Sequence, residues 1–184
     1  MTARELRVAV IIGSTREGRV GDAVGAWATD QVRQHVGLRS HVLDLADFDF
    51  PAHYPERATG QMAAFTAEIG RADAFVVVTP EYNRSYPASL KQAIDYAYDE
   101  WQAKPVGFVS YGHRSAGLYA VEHLRCVFTE LHTVTMRTSV SFNLLDDRPL
   151  GAESPVQAAK TMLDQLSWWA LALRDARTAR PYVS

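Results

Sequence analysis

Leu6-Arg7-Val8-Ala9-Val10-Ile11-Ile12, running into Gly13-Ser14-Thr15-Arg16-Glu17-Gly18-Arg19-Val20, is the segment from which the architecture follows. Apolar residues occupy odd and even positions of the first seven alike, and β-branched types dominate, as expected of a strand buried on both faces. Beyond the loop, Val20, Val24, Trp27 and Ala28 recur at helical spacing to about His35, and Gly37 closes the pattern. A doubly buried strand followed by an amphipathic helix predicts one βα unit of a parallel sheet.

The same alternation continues outward. Residues 40–45 (SHVLDL) read as a second strand, a loop carrying Pro51 and Pro55 follows, and residues 61–70 read as a helix. Residues 74–79 (AFVVVT), closed by Pro80, predict a third strand. From Ser89 onward Leu90, Ala93, Ile94, Ala97 and Trp101 share one helical face. Pro105 precedes a fourth strand over 106–111 (VGFVSY), and Leu118, Val121, Leu124, Phe128 and Leu131 mark a long helix. Residues 133–140 predict a fifth strand. After an irregular stretch around Asp146-Asp147-Arg148-Pro149, Pro155 opens a last helix with the stripe Met162, Leu163, Leu166, Trp169, Ala170 and Leu173. Five β/α pairs with same-handed crossovers predict an α/β protein: a three-layer α/β/α sandwich on a five-stranded parallel sheet, expected as a single domain over 1–184. Ligands of such sheets bind beyond the carboxyl ends of the strands, which directs attention to the loops after strands one, three and four.

Composition limits the partners. A chain of 184 residues, 47% hydrophobic and 22% charged, is of single-domain size and unlike a disordered tail, a collagen-like repeat or a disulfide scaffold. Nineteen Lys and Arg against 21 Asp and Glu leave a net charge of -2, too balanced for attraction to a polyphosphate backbone, so no nucleic-acid partner is expected. The lone Cys126 excludes an internal disulfide and a multi-thiolate zinc site, and reads as a small packing residue. The histidines His35, His41, His53, His123 and His132 are scattered without an i, i+4 pair, so no metal site is expected. No apolar run approaches the ~20 residues of a membrane span, and the stretch from Met1 to Glu5 enters a strand without a secretory apolar region. The expectation is an unprocessed cytoplasmic protein without a membrane partner.

The loop Gly13–Arg19 suits a phosphate group: a helix N-terminus offers unpaired N–H groups, two hydroxyls add donors, and Arg16 with Arg19 can neutralise a dianion. The same residues also suit an ordinary polar βα loop with its arginines in solvent. Gly13 and Gly18 have Walker A spacing, yet Arg19 and Val20 stand where that motif needs Lys and a hydroxyl, and G-x-G-x-x-G is absent. A small monophosphate is the simpler guest. Thr79-Pro80-Glu81-Tyr82-Asn83-Arg84-Ser85-Tyr86-Pro87, stiffened by its prolines, offers an aromatic, an amide and backbone groups to a flat heterocycle, although Asn83 and Ser85 also suit a plain turn and helix start. Ser110-Tyr111-Gly112-His113-Arg114-Ser115-Ala116-Gly117 would let a planar ligand lie near the backbone; Ser115 lacks the G-x-S-x-G frame of a hydrolase nucleophile.

With these three loops in order, the chain resembles the NADPH-dependent FMN reductase family of flavodoxin-like oxidoreductases, which includes quinone, azo-dye and chromate reductases, over about residues 5 to 175. GSTREGR is similar to the family's FMN-phosphate loop, PEYN followed by PASLKQAIDY to its isoalloxazine loop and helix, and SYGHRSAG to its third flavin-facing loop. The resemblance implies a flavodoxin-like sheet order 2-1-3-4-5. It implies phosphate contacts from Ser14, Arg16 and Arg19, with Thr15 and Val20 contributing through the backbone. It further implies flavin-ring contacts from Pro80, Glu81, Tyr82 and Asn83, and from Ser110, Tyr111 and Gly112. The implied cofactor is FMN, with NADPH (or NADH) as co-substrate, and hydride passes through the flavin to a small acceptor: a flavin, quinone, azo compound or oxidised metal ion. No side-chain base is required, and Glu81 fits a hydrogen-bonding or capping role. Two departures stand out: many members have Gly where this chain has Arg84, and many have Gly where it has His113, both at the place where nicotinamide or a second substrate stacks in the family.

The alternative on the same fold is a flavodoxin-type electron carrier, which docks through a strongly acidic surface that this nearly neutral chain lacks. A phospho-acceptor domain would need acidic residues ending strand one and an Asp ending strand three, where this chain reads GST and TPE; a tyrosine-phosphatase loop would need Arg where His132 follows Cys126. Trp168, Tyr96 and Tyr98 fall off the main apolar stripes and suggest an apolar surface for a partner. The family resemblance implies a homodimer or a dimer of dimers.

Overall fold

Among the residues that the computed structural model describes, 5–146 and 153–183, six parallel strands build one sheet. They are β1 (Leu6–Ile12), β2 (Leu38–Asp44), β3 (Ala74–Pro80), β4 (Pro105–Gly112), β5 (Val134–Thr135) and β6 (Val140–Asn143). The order is β2-β1-β3-β4-β5, with β6 pairing the same edge of β4, so the predicted 2-1-3-4-5 order holds. The strand order reverses between β1 and β3. Register sets Ile12 beside Val78 and Thr79 beside Ser110, which brings the loops after β1, β3 and β4 side by side at one end.

The helices are α1 (Gly21–Gln34), α2 (Gly60–Arg71), α3 (Ala88–Asp95), α4 (Leu118–Glu130) and α5 (Glu153–Ala179). Alternation along the central strands sorts side chains into two cores. Val8, Val10, Val76, Val78 and Val109 pack with Val24 and Ala28 of α1 and Met162, Leu163, Leu166 and Ala170 of α5. Ala9, Ile11, Phe75, Val77 and Phe108 pack with α2, α3 and α4 through Phe65, Ile69, Leu90, Ile94, Leu124 and Phe128. Burial on both faces explains the continuous apolar runs of the sequence.

The structure departs from sequence expectation at definite places. The strand predicted over 133–140 is two short ones. Between them Arg125 donates to the carbonyls of Met136 (2.6 Å) and Arg137 (3.1 Å), and Gln165 bonds the Thr138 backbone and hydroxyl, so side chains take the place of a ladder. The helix predicted from Ser89 to Trp101 ends at Asp95. Thr66 Oγ1 donates to the Tyr96 carbonyl at 3.1 Å, and Trp101 Nε1–H donates to the Ile94 carbonyl at 3.1 Å from a separate 3-10 turn over Asp99–Trp101. Trp101 is fully buried by this route. Tyr96 is buried against Phe50 and Tyr54 instead of forming outer surface, while Tyr98 and Trp168 are exposed as expected. Leu118 and Trp169, read as core, are exposed, as is Cys126. Residues 147–149 of the irregular stretch lie outside the described residues. Among the described residues no helix is long and apolar enough to cross a membrane.

Candidate functional site

The loop after β1 is anchored at its root and open at its tip. Gly13 donates its N–H to the Val78 carbonyl at 2.9 Å, and a Cβ on it would stand 3.0 Å from Leu90 Cδ2. Ser14 is buried, its hydroxyl 3.1 Å from that of Tyr82, which ties this loop to the one after β3. Thr15, Arg16, Glu17 and Gly18 are exposed, and the backbone N–H groups of residues 14–20 make no hydrogen bond among the described residues. Val20 takes the N-cap position of α1 without a side-chain cap, so the first turn of that helix presents open donors. This is the arrangement that receives an anion.

The two arginines of the loop are not equivalent. Arg19 reaches back to β2, where its two terminal nitrogens fork onto Asp44 at 2.7 and 2.5 Å; its Nε–H meets Asp22 at 2.8 Å, and it also donates to the Ser14 carbonyl. Hydrogen bonding to Asp44 holds its pKa above the ordinary value against the opposing cost of burial. Its charge is therefore spent within the protein. Arg16 has no ion pair among the described residues and stands as the loop's exposed cation.

After β3 the chain makes a tight reversal. Tyr82 and Ser85 exchange backbone hydrogen bonds of 2.8 and 3.0 Å, and Asn83 and Arg84 between them both have left-handed φ, +50° and +65°. Two consecutive positive φ values define a type I′ turn, which favours Gly at the second position, where the chain has Arg84. The turn is stapled to α4 twice, by the Arg84 guanidinium 3.9 Å above the Tyr119 ring and by Ser85 Oγ 3.0 Å from His123 Nδ1. Pro80 is buried at the root, and Glu81 donates its N–H to the Tyr111 carbonyl. The Glu81 carboxylate accepts the Ser115 hydroxyl at 2.6 Å and the Tyr119 N–H at 3.1 Å. It thereby caps α4, whose N-cap residue is Gly117.

The third loop offers backbone rather than side chains. Ser110 Oγ donates to the Ala116 carbonyl at 2.9 Å and lies 3.0 Å from Ser141 Oγ. Tyr111 turns into the core under α1 and α5; burial pushes its pKa up to about 12, with the Ser14 hydroxyl drawing it the other way. Its hydroxyl is buried, makes no hydrogen bond of acceptable geometry, and lies 2.9 Å from where a Gly21 Cβ would stand at the first turn of α1. Gly112 is closed in by the Gly117 nitrogen and Glu81, and Gly117 (φ +89°) has Ser110 Cβ 2.4 Å from where a Cβ would be. His113 and Arg114 are exposed.

All twelve residues singled out in the sequence thus meet at one rim, but their side chains have different fates: Thr15, Arg16, Val20, Tyr82 and Asn83 face outward, whereas Ser14, Arg19, Pro80, Glu81, Ser110, Tyr111 and Gly112 form the framework. Sequence reasoning missed Asp44, Tyr119 and His123. Asp44 ends a strand that borders the loop, and that position was the available signal. A cavity of about 800 Å³, lined in part by Arg7, Arg39, Arg71, Asp73 and Arg174, lies at the opposite, amino end of the strands. There Arg7 pairs with Glu68, and Arg174 and Arg177 approach Asp73 at 3.8 and 3.9 Å. Those cations balance carboxylates and the negative ends of α2 and α5. No group of three His, Cys, Asp or Glu suited to a metal occurs among the described residues.

The family model described as NADPH-dependent FMN reductase matches residues 6–145. An NAD(P)H-dependent FMN reductase of Schizosaccharomyces pombe is 34% identical over 123 residues, 60% of this chain and 60% of that protein's length. A 2-hydroxy-1,4-benzoquinone reductase of a Burkholderia species is 29% identical over 189 residues, covering 94% of this chain and 98% of its own. Among solved structures, FerB, a flavoenzyme NAD(P)H:(acceptor) oxidoreductase of Paracoccus denitrificans, superimposes with a TM-score of 0.68 at 22% identity, over 92% of this chain and 98% of that one.

Proposed function

Because the chain belongs to the NADPH-dependent FMN reductase family, we propose that it is an FMN-dependent oxidoreductase passing hydride from NADPH or NADH to a small acceptor such as a quinone or a free flavin. The observation that carries this reading is the uncapped start of α1, with its row of unbonded N–H groups and the exposed Arg16, set beside the Tyr82–Asn83 turn. A phosphate fits those donors, and the orphaned Tyr111 hydroxyl beside Gly21 leaves a polar atom at the same place. In this reading a flat heterocycle would lie between the Tyr82–Asn83 turn and the Gly112 backbone.

In this reading the N–H groups of Thr15 to Val20 and the Arg16 guanidinium would hold the FMN phosphate, and Ser14 and Arg19 shape the loop that presents them. The backbone from Pro80 to Asn83, the Tyr82 ring and the Ser110–Gly112 segment would hold the tricycle. Bound FMN would supply the hydride-accepting and two-electron-donating chemistry between nicotinamide and acceptor. The protein fixes the ring and leaves one face open, which is orientation rather than acid–base catalysis. Glu81 is engaged by two donors and serves as a brace. The whole of 1–184 acts as one FMN-binding domain, supported by the single sheet. A homodimer or dimer of dimers is supported by exposed Trp168, Trp169 and Leu171 on α5, and a reducing, cytoplasmic compartment by the lone exposed Cys126.

The test is to purify the protein, record its visible spectrum, and mix it anaerobically with NADPH and NADH in turn. Bleaching of the flavin bands, followed by reoxidation on adding a quinone, is the expected result. Bound FMN that neither nucleotide bleaches would overturn the reductase reading in favour of an electron carrier, and a protein without affinity for FMN would overturn both.

A further inference from the structure

Arg84 lies in the turn after β3, next to Asn83 of the candidate site, and its conformation is a costly one. A left-handed φ of +65° at a non-glycine residue costs on the order of 1 kcal/mol, so a glycine there would be the less strained choice. The guanidinium nevertheless has a defined place. It lies 3.9 Å over the Tyr119 ring, and Tyr119 is itself held through its N–H by Glu81. The adjoining Ser85 is held by His123, one helical turn beyond Tyr119 on α4. A guanidinium held over a ring face by cation–π attraction still has N–H groups for other partners. Arg84 makes no hydrogen bond or ion pair with any described residue, so those groups are unspent.

Within the three loops the exposed charge is mostly positive. In the loops after β1, β3 and β4 the exposed cations are Arg16, Arg84 and Arg114, with His113 beside them. Of the two carboxylates in these loops, Glu81 is engaged by Ser115 and Tyr119, leaving only Glu17 on the phosphate side. Arg16 is assigned to the FMN phosphate; Arg84 remains for something else.

Resting on the FMN-reductase reading, we infer that Arg84 is a specificity-determining residue that selects planar acceptors carrying an oxyanion, the class of ring-hydroxylated quinones ionised at neutral pH, over their neutral counterparts. A guanidinium held over a ring face loses little freedom when its N–H groups meet an oxyanion.

The experiment uses the oxidised FMN-loaded protein without any nucleotide. Equilibrium dissociation constants are read from perturbation of the flavin spectrum on titration with 2-hydroxy-1,4-naphthoquinone at pH 7, and with its neutral 2-methoxy analogue. Wild type should prefer the anion. Arg84→Gly, which relieves the backbone, should weaken anion binding roughly fivefold to tenfold while leaving the neutral analogue and the FMN content unchanged. Arg84→Gln, of similar size, should behave like Arg84→Gly, and Arg84→Lys should recover part of the preference. Equal affinities for the two probes in wild type, or equal losses for both in the variants, would overturn the inference. A companion steady-state assay reads the KM values for NADPH and NADH; a variant that alters only their ratio would also overturn the inference, since the guanidinium would then read the nucleotide's phosphate. Absence of bound FMN in wild type would instead sink the reading beneath it.

Discussion

Glu81 closes the amino end of the helix to which Tyr119 belongs: its Oε2 accepts the Tyr119 backbone N–H at 3.1 Å while Oε1 takes the Ser115 hydroxyl at 2.6 Å. Gly117, at the N-cap, has no side chain to do this, so a carboxylate from a neighbouring strand end does. Glu81→Ala should therefore lower stability by roughly 1–2 kcal/mol in urea melts, and Glu81→Gln by less, because an amide oxygen still accepts. If Glu81 were a proton donor in turnover instead, Glu81→Gln would abolish reductase activity at unchanged stability.

Arg16 and Arg19, three positions apart, should separate experimentally. Arg16→Ala should weaken FMN binding by about tenfold, the loss of one charge-assisted contact, and leave the melting temperature of the flavin-free protein unchanged. Arg19→Ala strips the fork from Asp44, whose side chain is 16% exposed, and should destabilise the flavin-free fold by roughly 1–3 kcal/mol. Flavin fluorescence titration and thermal melts of the two variants decide the matter; identical phenotypes would contradict the division of labour.

Lys104 supplies a pH test. Its ammonium is buried and donates to the Ile69 and Gly70 carbonyls at 2.9 and 3.0 Å, at the carboxyl end of α2, and burial pulls its pKa down to about 8 from 10.5. Between these two values the unfolded chain still binds a proton that the folded chain has released. This residue's contribution to stability consequently rises with pH across that window, by roughly 3 kcal/mol in all, and is constant and unfavourable below it. Lys104→Met cannot titrate. The stability of wild type relative to this variant should increase from pH 7 to pH 10 in denaturant melts, and a flat difference would refute the burial argument.

Gly117→Ala should be among the most damaging single changes. The new Cβ would lie 2.4 Å from Ser110 Cβ at a φ of +89°, and strain and overpacking together predict a loss of roughly 2–4 kcal/mol. Gly18→Ala is the control: it shares a positive φ (+64°) but has nothing within 4 Å, so it should cost only about 1 kcal/mol.

The central strands were legible because each is a short run whose two faces meet helices, and such burial writes itself into consecutive residues, whereas the strand order came from the family resemblance. Leu6–Ile12 and Ala74–Pro80 differ from expectation by at most one residue. The third helix was misread for the opposite reason. Ala97 and Trp101 continue its apolar spacing, and both are buried, but the chain reaches those places after breaking at Asp95, because Thr66 and Trp101 take carbonyls that a continuing helix would use. Periodicity reports burial, and burial does not require one unbroken helix. In the loop after β1, composition marked both arginines as anion ligands; nothing local distinguishes them, since Arg19's partner Asp44 lies 25 residues away on another strand.

By itself, then, the amino-acid order determined a parallel α/β sandwich with three ligand-facing loops at the carboxyl ends of β1, β3 and β4, because alternation, spacing and the glycines and prolines of those loops act over a few neighbouring residues. Only the tertiary structure decided which polar groups remain free at that rim: that Arg19, Glu81 and Ser110 are spent on Asp44, Ser115 and Ala116, and that Arg84 is laid on Tyr119. Those assignments depend on which strand ends the crossovers bring together, and charge pairing is settled by distance in space rather than by position along the chain.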